Sequence, residues 1–256
     1  MDKNVAQTDL LLTGHATRKK SKCHSSHAML TGLKMENQMS NLMKIYRCLF
    51  DHYGPRNWWP ADTPFEVAVG AILTQNTNWS NVEKAIANLC SADSLDCNRI
   101  SELDRQELEA LIRPSGFFRQ KAERLQLFCY YLRDNYHSSL EQMLRQPLET
   151  VREELLRLKG VGPETADSIL LYAGNHPSFV VDAYTGRLFS RLGLLAGTEK
   201  YEQTRKLFMD RLPQQSDLYN EYHALIVIQC KEHCRKRPEC TDCPLEDSCR
   251  YRQQNP

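Results

Sequence analysis

The segment from Leu158 to Leu188, LKGVGPETADSILLYAGNHPSFVVDAYTGRL, constrains the fold more than any other part of the chain. Gly160 and Gly162 flank Val161, and Pro163 then precedes apolar residues at helical spacing. Glycine permits the positive φ of a tight turn, and proline suits the first helical position. The segment therefore predicts a helix, a tight hairpin and a second helix. The start of that second helix presents unpaired N–H groups and the positive end of the helix dipole, which favours a phosphate.

Asp182 follows the short apolar run Phe179-Val180-Val181. A lone carboxylate after such a run is expected to be held at a defined and partly dry position. The alternative is purely local, because aspartate is a favoured N-cap residue and a helix is predicted to start at Ala183.

Composition limits the choice of partner and compartment. The 256 residues carry a net charge of +1, so any affinity for nucleic acid must come from local clusters of Lys and Arg and from helix termini. The length suffices for a sizeable core, and neither a membrane-spanning run nor a signal peptide is present. We expect a soluble, cytoplasmic protein. In such a compartment ten cysteines favour a metal or iron–sulfur site over disulfides.

The N-terminal segment 1–38 is rich in Ser, Thr, His and Lys and contains a cluster of basic residues at 18–22. It predicts a disordered basic tail, whose charges are either solvated or in contact with DNA phosphates. A further alternative is that the domain starts near Met35 or Met39.

Nearly all the remaining chain has helical periodicity, and strand signals are almost absent. Thr63 and Ser80 are each expected to cap a helix, because a Glu stands three residues after each of them. The predicted fold class is all-α, with many short helices joined by short loops. Helices are predicted at 40–53, 63–73, 80–89, 101–112, 118–136, 138–144, 150–158, 163–173, 183–192, 201–212 and 217–231.

Four cysteines follow the last of these helices in the run CRKRPECTDCPLEDSC, namely Cys234, Cys240, Cys243 and Cys249. Four thiolates at this spacing can converge on one centre, which spacing alone leaves open as zinc or an iron–sulfur cluster. Cys230, one helical turn before Cys234, is a conceivable but less favoured first ligand. Within the first cysteine loop, the basic residues Arg235, Lys236 and Arg237 suit contact with DNA phosphates.

The hairpin, the Asp and the cysteines together resemble the helix-hairpin-helix plus Gly/Pro/Asp signature of the endonuclease III superfamily of base-excision DNA glycosylases. The resemblance implies a six-helix barrel over 63–176, and a second helical subdomain formed by 39–62 and 177–256. It also implies that the four cysteines hold a [4Fe–4S] cluster, although this chain has one residue fewer between the first two. By the same resemblance Asp182 is catalytic, and Lys159, Gly160, Val161 and Gly162 grip the DNA backbone.

Two positions refine the chemistry that the resemblance implies. Gln75, in the turn after the first barrel helix, corresponds to the wedge that fills the gap left by a flipped base; the alternative is a polar residue that ends a helix. Glu164 stands where bifunctional relatives carry the lysine that forms a Schiff base. A carboxylate cannot form an imine, so hydrolysis without strand cleavage is expected.

Three tryptophans, Trp58, Trp59 and Trp79, lie in the loops that flank the first barrel helix. Packing in the core is the usual role of tryptophan, but these rings could also stack on a cationic alkylated purine. The motifs WWP, LTQNTNW, RPSGFFRQKAERL and GVGPETADSILLYA are similar to the 3-methyladenine glycosylase branch of the superfamily. A member of that branch lacks the cysteine loop and has a lysine where this chain has Leu225.

The resemblance therefore implies a monomeric enzyme whose partner is double-stranded DNA containing damaged bases. No association with a membrane is expected. Its expected reaction is the hydrolysis of the glycosidic bond of an alkylated purine such as 3-methyladenine. Two alternatives stay open. One is an endonuclease III-like glycosylase for mismatched or oxidised pyrimidines, with or without AP-lyase activity, and the other is a non-catalytic DNA-binding relative.

Overall fold

The computed structural model describes residues 34–56 and 61–255, with side chains from residue 41 onward. Every regular element within these ranges is helical, which confirms the predicted all-α class. None of the described helices is long and apolar enough to cross a membrane. The helices are α1 (Lys34–Tyr53), α2 (Pro64–Leu73), α3 (Trp79–Ser91), α4 (Cys97–Glu102), α5 (Arg105–Leu111), α6 (Phe118–Tyr136), α7 (Leu140–Leu144), α8 (Leu148–Arg157), α9 (Pro163–Ser168), α10 (Ala183–Arg191), α11 (Tyr201–Arg211), α12 (Ser216–Glu232) and α13 (Arg250–Gln254).

The helix starts follow local capping rules, with one correction. The Thr63 hydroxyl accepts the backbone N–H of Glu66 at 3.1 Å, as the sequence predicts. Ser80, however, is not a cap, because α3 begins at Trp79 and its N-cap is Asn78. The Asn78 side chain accepts the N–H of Asn81 at 3.1 Å, and Ser80 donates its hydroxyl to that same oxygen. An Asn two residues upstream therefore takes the role assigned to Ser80.

Two of the predicted helices depart from their predicted bounds by more than two residues. α1 begins at Lys34, several residues before the predicted start, so the last residues of the predicted tail have helical backbone. The rest of that tail, including the cluster of basic residues at 18–22, lies outside the described residues. The helix predicted over 101–112 is divided, because Leu103 adopts an extended ψ of 138° and Asp104 then caps α5.

Buried apolar side chains form two clusters that meet near the end of α9. The first contains residues from Ala68 to Leu170, and the second joins α1 to residues from Leu171 to Leu245. A π-helical turn, Ile169–Ala173, continues α9 and contributes to both clusters. Both ends of the described chain therefore build the second cluster. The domain boundaries given above stay a prediction.

A buried carboxylate ties the hairpin to the second cluster. Asp167 of α9 is fully buried and accepts two hydrogen bonds from Arg152 of α8, at 2.9 and 3.0 Å. It also accepts the hydroxyls of Ser178 at 2.5 Å and Tyr201 at 2.7 Å, and it lies 3.2 Å from Arg205 Nε. Tyr201 and Arg205 belong to α11, so this network fixes both hairpin helices against α11.

Candidate active site

The predicted hairpin connects α8 to α9 as expected. Gly160 has a φ of +85°, which a residue with a side chain would rarely adopt, and Gly162 is the N-cap of α9 with Pro163 following it. Val161, predicted to contact the DNA backbone, has a side chain only 6% exposed and donates its N–H to Leu158 O at 3.0 Å. Its side chain therefore anchors the hairpin in the first cluster. The first-turn N–H groups of Glu164 and Thr165 have no intrahelical acceptor and remain the available donors.

Gln75 lies against the hairpin. Its side-chain amide donates to Gly160 O at 3.0 Å and to the Thr165 hydroxyl at 2.9 Å, and its carbonyl accepts from the Arg124 guanidinium. The Arg124 side chain also packs closely over Gly160. The turn after α2 and the hairpin are thus linked through one side chain. Lys159, also predicted to contact DNA, is exposed and forms an ion pair with Glu123 at 2.5 Å.

Asp182 is the N-cap of α10, and its two carboxylate oxygens have different surroundings. Oδ1 accepts the Thr185 N–H at 2.8 Å and the Thr185 hydroxyl at 2.9 Å. Oδ2 lies 3.5 Å from His223 Nε2, and the Asp182 side chain is 14% exposed. The capping role and the partly dry position, which the sequence offered as alternatives, therefore occur together, with one oxygen serving each.

His223 of α12 connects Asp182 to a tyrosine. Its Nδ1 is 2.6 Å from the hydroxyl of Tyr172, in the π-helical turn that follows α9. Burial by itself would raise the pKa of Asp182, but the His223 ring and the two Thr185 donors outweigh it, so this pKa lies below its ordinary value. Asp182 is therefore ionised at neutral pH.

Glu164, for which the sequence resemblance predicts the position of a Schiff-base lysine, stands in the first turn of α9. Its side chain keeps solvent contact, yet the surrounding protein partly desolvates it. Desolvation, and then the negative charge of Asp182, raise the pKa of Glu164 above its ordinary value. The two carboxyl groups thus belong to one electrostatic environment, in which Asp182 is the stronger acid.

The predicted base-stacking residues are only partly described. Trp79 begins α3 and is half-buried, packed against the first hydrophobic cluster. Trp58 and Trp59 lie outside the described residues. Leu225, which the sequence resemblance compares with a lysine, is fully buried in the second cluster.

The four predicted cysteine ligands line one cavity, together with Arg191, Gln229 and His233 among others. Arg191 donates to Cys234 Sγ at 3.2 Å, and Gln229 donates to Cys243 Sγ at 3.1 Å. Cys230, the weaker candidate ligand, instead points its thiol at Tyr184 O, 3.5 Å away. The neighbouring Cys230 thiol, and then the hydrogen bond from Arg191, lower the pKa of Cys234 to about 6 against the opposing effect of burial, which favours a thiolate. Within the described ranges, however, no group of three or more His, Cys, Asp or Glu is close enough to hold a single metal ion.

The basic cysteine loop is held by the helix that Asp182 caps. Arg187 donates to Cys234 O at 2.7 Å, while Arg191 donates to the carbonyls of Arg235 and Lys236 at 2.6 and 3.0 Å. These bonds hold the main chain of the loop. Its basic side chains are exposed, namely Arg235, Lys236 and Arg237. α10 therefore links Asp182 at its start to the cysteine loop at its end.

Sequence reasoning missed three side chains at or near this site. His223 is one, and its only signal was a histidine inside an apolar helical stretch. Phe117 is a large hydrophobic residue that is 63% exposed, and it has a φ of +45°. Lys121 is 1% exposed and donates to Leu73 O at 2.8 Å and Ser115 O at 2.6 Å, so it ties the Gln75 turn to the Phe117 turn. Desolvation lowers the pKa of Lys121 to about 8.

Comparison with known proteins identifies the family. A family model described as HhH-GPD superfamily base excision DNA repair protein matches residues 69–214. A Methanocaldococcus jannaschii protein, named only as a candidate DNA repair glycosylase, is 50% identical over 216 residues, which cover 84% of this chain and 98% of that protein. Endonuclease III of Thermotoga maritima is 31% identical over 198 residues, covering 77% of this chain and 87% of that enzyme.

Solved structures agree with these relatives. A 3-methyladenine DNA glycosylase of H. pylori bound to 1,N6-ethenoadenine matches with a TM-score of 0.66 and 30% identity, over 76% of this chain and 97% of that chain. An endonuclease III in a non-covalent DNA complex matches with a TM-score of 0.70 and 25% identity, over 88% of this chain and 98% of that chain. The chain belongs to the HhH-GPD superfamily of base excision DNA repair proteins. It is a DNA glycosylase related both to endonuclease III and to 3-methyladenine glycosylases.

Proposed function

We propose that the protein is a monofunctional DNA glycosylase that hydrolyses the glycosidic bond of alkylated purines flipped out of duplex DNA. The observation that carries the proposal is the pair of carboxyl groups at the site. Asp182 is held ionised, and Glu164 stands where bifunctional relatives have an amine. Lys121 is enclosed by two carbonyl oxygens, and Lys159 of the hairpin is paired with Glu123. The site therefore suits hydrolysis by water better than Schiff-base chemistry.

In the proposed reaction Asp182 stabilises the positive charge that develops on the sugar and orients the attacking water. The water oxygen bonds to C1′ while the C1′–N bond breaks, and the electrons of that bond go to the base. A purine alkylated at N3 or N7 is cationic and leaves as a neutral molecule, so no acid needs to protonate it. The water proton passes to Asp182 Oδ2 and then to solvent.

Three sets of residues are proposed to bind the DNA substrate. Gln75, held beside the hairpin, would fill the gap that the flipped nucleotide leaves. Trp58, Trp59 and Trp79 would stack on the purine, and a cationic purine would bind an electron-rich ring more strongly. The hairpin from Lys159 to Gly162 and the exposed loop side chains of Arg235, Lys236 and Arg237 would contact backbone phosphates.

A [4Fe–4S] cluster is proposed for the cysteine cavity. In such a cluster each thiolate binds a different iron, so the ligands surround a volume instead of meeting at one ion. Thiols that line a cavity and accept hydrogen bonds from Arg191 and Gln229 suit this arrangement. The cysteines Cys234, Cys240, Cys243 and Cys249 would hold the cluster, which would shape the basic loop and supply no step of base excision.

A second candidate function is an endonuclease III-like glycosylase for mismatched or oxidised pyrimidines. It is favoured by the 31% identity with Thermotoga maritima endonuclease III and by the cysteine loop. The retained Asp182 and its desolvated surroundings disfavour a non-catalytic DNA-binding relative.

The test is a base-release assay on the anaerobically purified protein with methylated duplex DNA, scoring free base and strand breaks before and after alkali. Free methylpurine with breaks only after alkali supports the proposal. Breaks without alkali indicate lyase activity, and release only from oxidised or mismatched pyrimidines favours the second candidate. Binding without turnover on any lesion indicates the non-catalytic relative.

The matched variants are Asp182→Asn and Asp96→Asn. Asparagine is also a good N-cap, so each substitution removes a charge while the cap of its helix is kept. Asp96 is the exposed N-cap of α4, where its side chain accepts the N–H groups of Asn98 and Arg99. We expect Asp182→Asn to abolish base release with DNA binding retained, and Asp96→Asn to behave as wild type. Full activity of Asp182→Asn would refute the assignment of Asp182.

A further inference from the structure

His223 has one ring nitrogen with a good partner and one without. Nδ1 is 2.6 Å from the Tyr172 hydroxyl, whereas Nε2 is buried and forms no hydrogen bond of ordinary geometry with the described residues. The charged oxygen that faces Nε2 is Asp182 Oδ2, 3.5 Å away. A buried polar atom without a partner is costly, so its orientation toward a carboxylate calls for a functional reason.

We propose that His223, oriented by Tyr172, is the positioning residue that keeps Asp182 ionised and its Oδ2 directed toward the reacting sugar. The inference rests on the assignment of Asp182 as the catalytic carboxylate under the proposed function. His223 acts through Asp182 and does not itself touch the substrate.

The tautomer of His223 follows from its two neighbours. A bare lone pair on Nε2 would repel the Asp182 carboxylate, so Nε2 carries the hydrogen. In the neutral ring Nδ1 is then the acceptor, and the Tyr172 hydroxyl donates to it. The Nε2–H consequently points at Oδ2, and Tyr172 fixes the ring in this orientation.

The two Asp182 oxygens are thereby distinguished. Thr185 holds Oδ1 with two donors, which fixes the carboxylate at the start of α10. The contact with His223 exceeds an ordinary hydrogen bond in length, so Oδ2 is not saturated and can still accept from a water molecule. A shorter contact would compete with that water, and without the contact Oδ2 would have no protein donor facing it in a partly dry site.

The groups that titrate around His223 come from several elements. Asp182 caps α10, Tyr172 lies in the π-helical turn, and Glu164 lies in the first turn of α9, where its pKa responds to both His223 and Asp182. Cys230, on the same helix as His223, is near enough for the charge of Asp182 to raise its pKa, although Cys234 and burial raise it more. Any pH-dependent experiment must therefore distinguish the titration of Asp182 from that of Glu164.

The experiment measures Asp182 in two independent ways, in wild type and in His223→Leu and His223→Gln. One is the carboxyl-carbon NMR titration of Asp182, with its signal assigned by its loss in Asp182→Asn. The other is the pH profile of kcat for base release. Glutamine retains an N–H near the position of Nε2, whereas leucine removes it.

In His223→Leu we expect the pKa of Asp182 to rise by about one unit and the acid limb of kcat to move up by the same amount, because a donor to a charged group is lost. We expect the kcat plateau to fall about tenfold because the carboxylate is less well oriented, with KM for DNA unchanged. His223→Gln should keep both the pKa of Asp182 and the kcat plateau close to their wild-type values. Tyr172→Phe should shift the pKa in the same direction by a smaller amount.

The matched control is His176→Leu, which removes a half-buried histidine that is bonded to Leu144 O and does not face Asp182. It should leave the titration of Asp182 unchanged. The proposal is overturned if the Asp182 titrations of His223→Leu and wild type coincide, or if glutamine is as impaired as leucine. If His223→Leu does not fold, the glutamine and Tyr172→Phe variants decide by the same criteria. If wild type releases no base from any lesion, the proposed function fails, and the NMR titration still decides the role of His223.

Discussion

The buried carboxylate of Asp167 provides the sharpest stability prediction. It receives donors from Arg152, Ser178 and Tyr201 and also contacts Arg205, and the side chains of both arginines are only 10% exposed. Asp167→Asn removes the charge but keeps the size of the side chain. It leaves two nearly buried guanidinium groups without their shared carboxylate.

Removing one partner of a buried ion pair costs about 3–5 kcal/mol. The lower value applies here, because Arg152 keeps its contact with Glu202 at 2.6 Å and asparagine still offers one acceptor oxygen. At about 2–4 °C per kcal/mol for a domain of this size, a loss of about 3 kcal/mol lowers the Tm by about 6–12 °C. Thermal unfolding followed by circular dichroism, together with urea titration, would measure both quantities.

The control is Glu202→Gln, at the exposed end of the same network. The Glu202 side chain is 54% exposed, and such pairs contribute about 0–1 kcal/mol. A loss below about 1 kcal/mol for Asp167→Asn, or equal losses for the two variants, would refute the claim that this carboxylate holds the hairpin to α11.

Three further predictions concern the site. Glu164→Lys places an amine beside Asp182, so borohydride should trap this variant on abasic DNA but not wild type; the absence of trapping would show that Glu164 does not occupy the lysine position functionally. Lys121 has a pKa of about 8 in the folded protein against about 10.4 unfolded, so the unfolded state binds more protons between these values. The free energy of unfolding should consequently rise with pH across that window relative to Lys121→Met, and parallel pH curves would contradict this. Single glutamine substitutions of Arg235, Lys236 and Arg237 should each lower the slope of log Kd against log salt by about 0.9 if that side chain contacts a phosphate, and an unchanged slope would exclude the contact.

Local chemistry in the sequence was enough to predict much of the fold. Helix class, the hairpin between α8 and α9 and the Thr63 cap depend on spacing and on neighbours within one or two turns, which sequence patterns record directly. The same local reasoning failed where two good caps compete, as Asn78 and Ser80 do. Local reasoning also predicted one continuous helix through Leu103, where the backbone is extended.

The sequence by itself therefore determined an all-helical chain with a hairpin, a lone carboxylate after an apolar run and a cysteine loop. Only the tertiary structure decided which side chains meet. His223 reaches Asp182 because α12 packs against α10, and Gln75 reaches Gly160 because the turn after α2 lies against the hairpin. Such contacts join residues far apart in sequence, and their geometry follows from how whole helices pack in two hydrophobic clusters. No local pattern encodes it, which is why the carboxylate was predictable and the histidine that faces it was not.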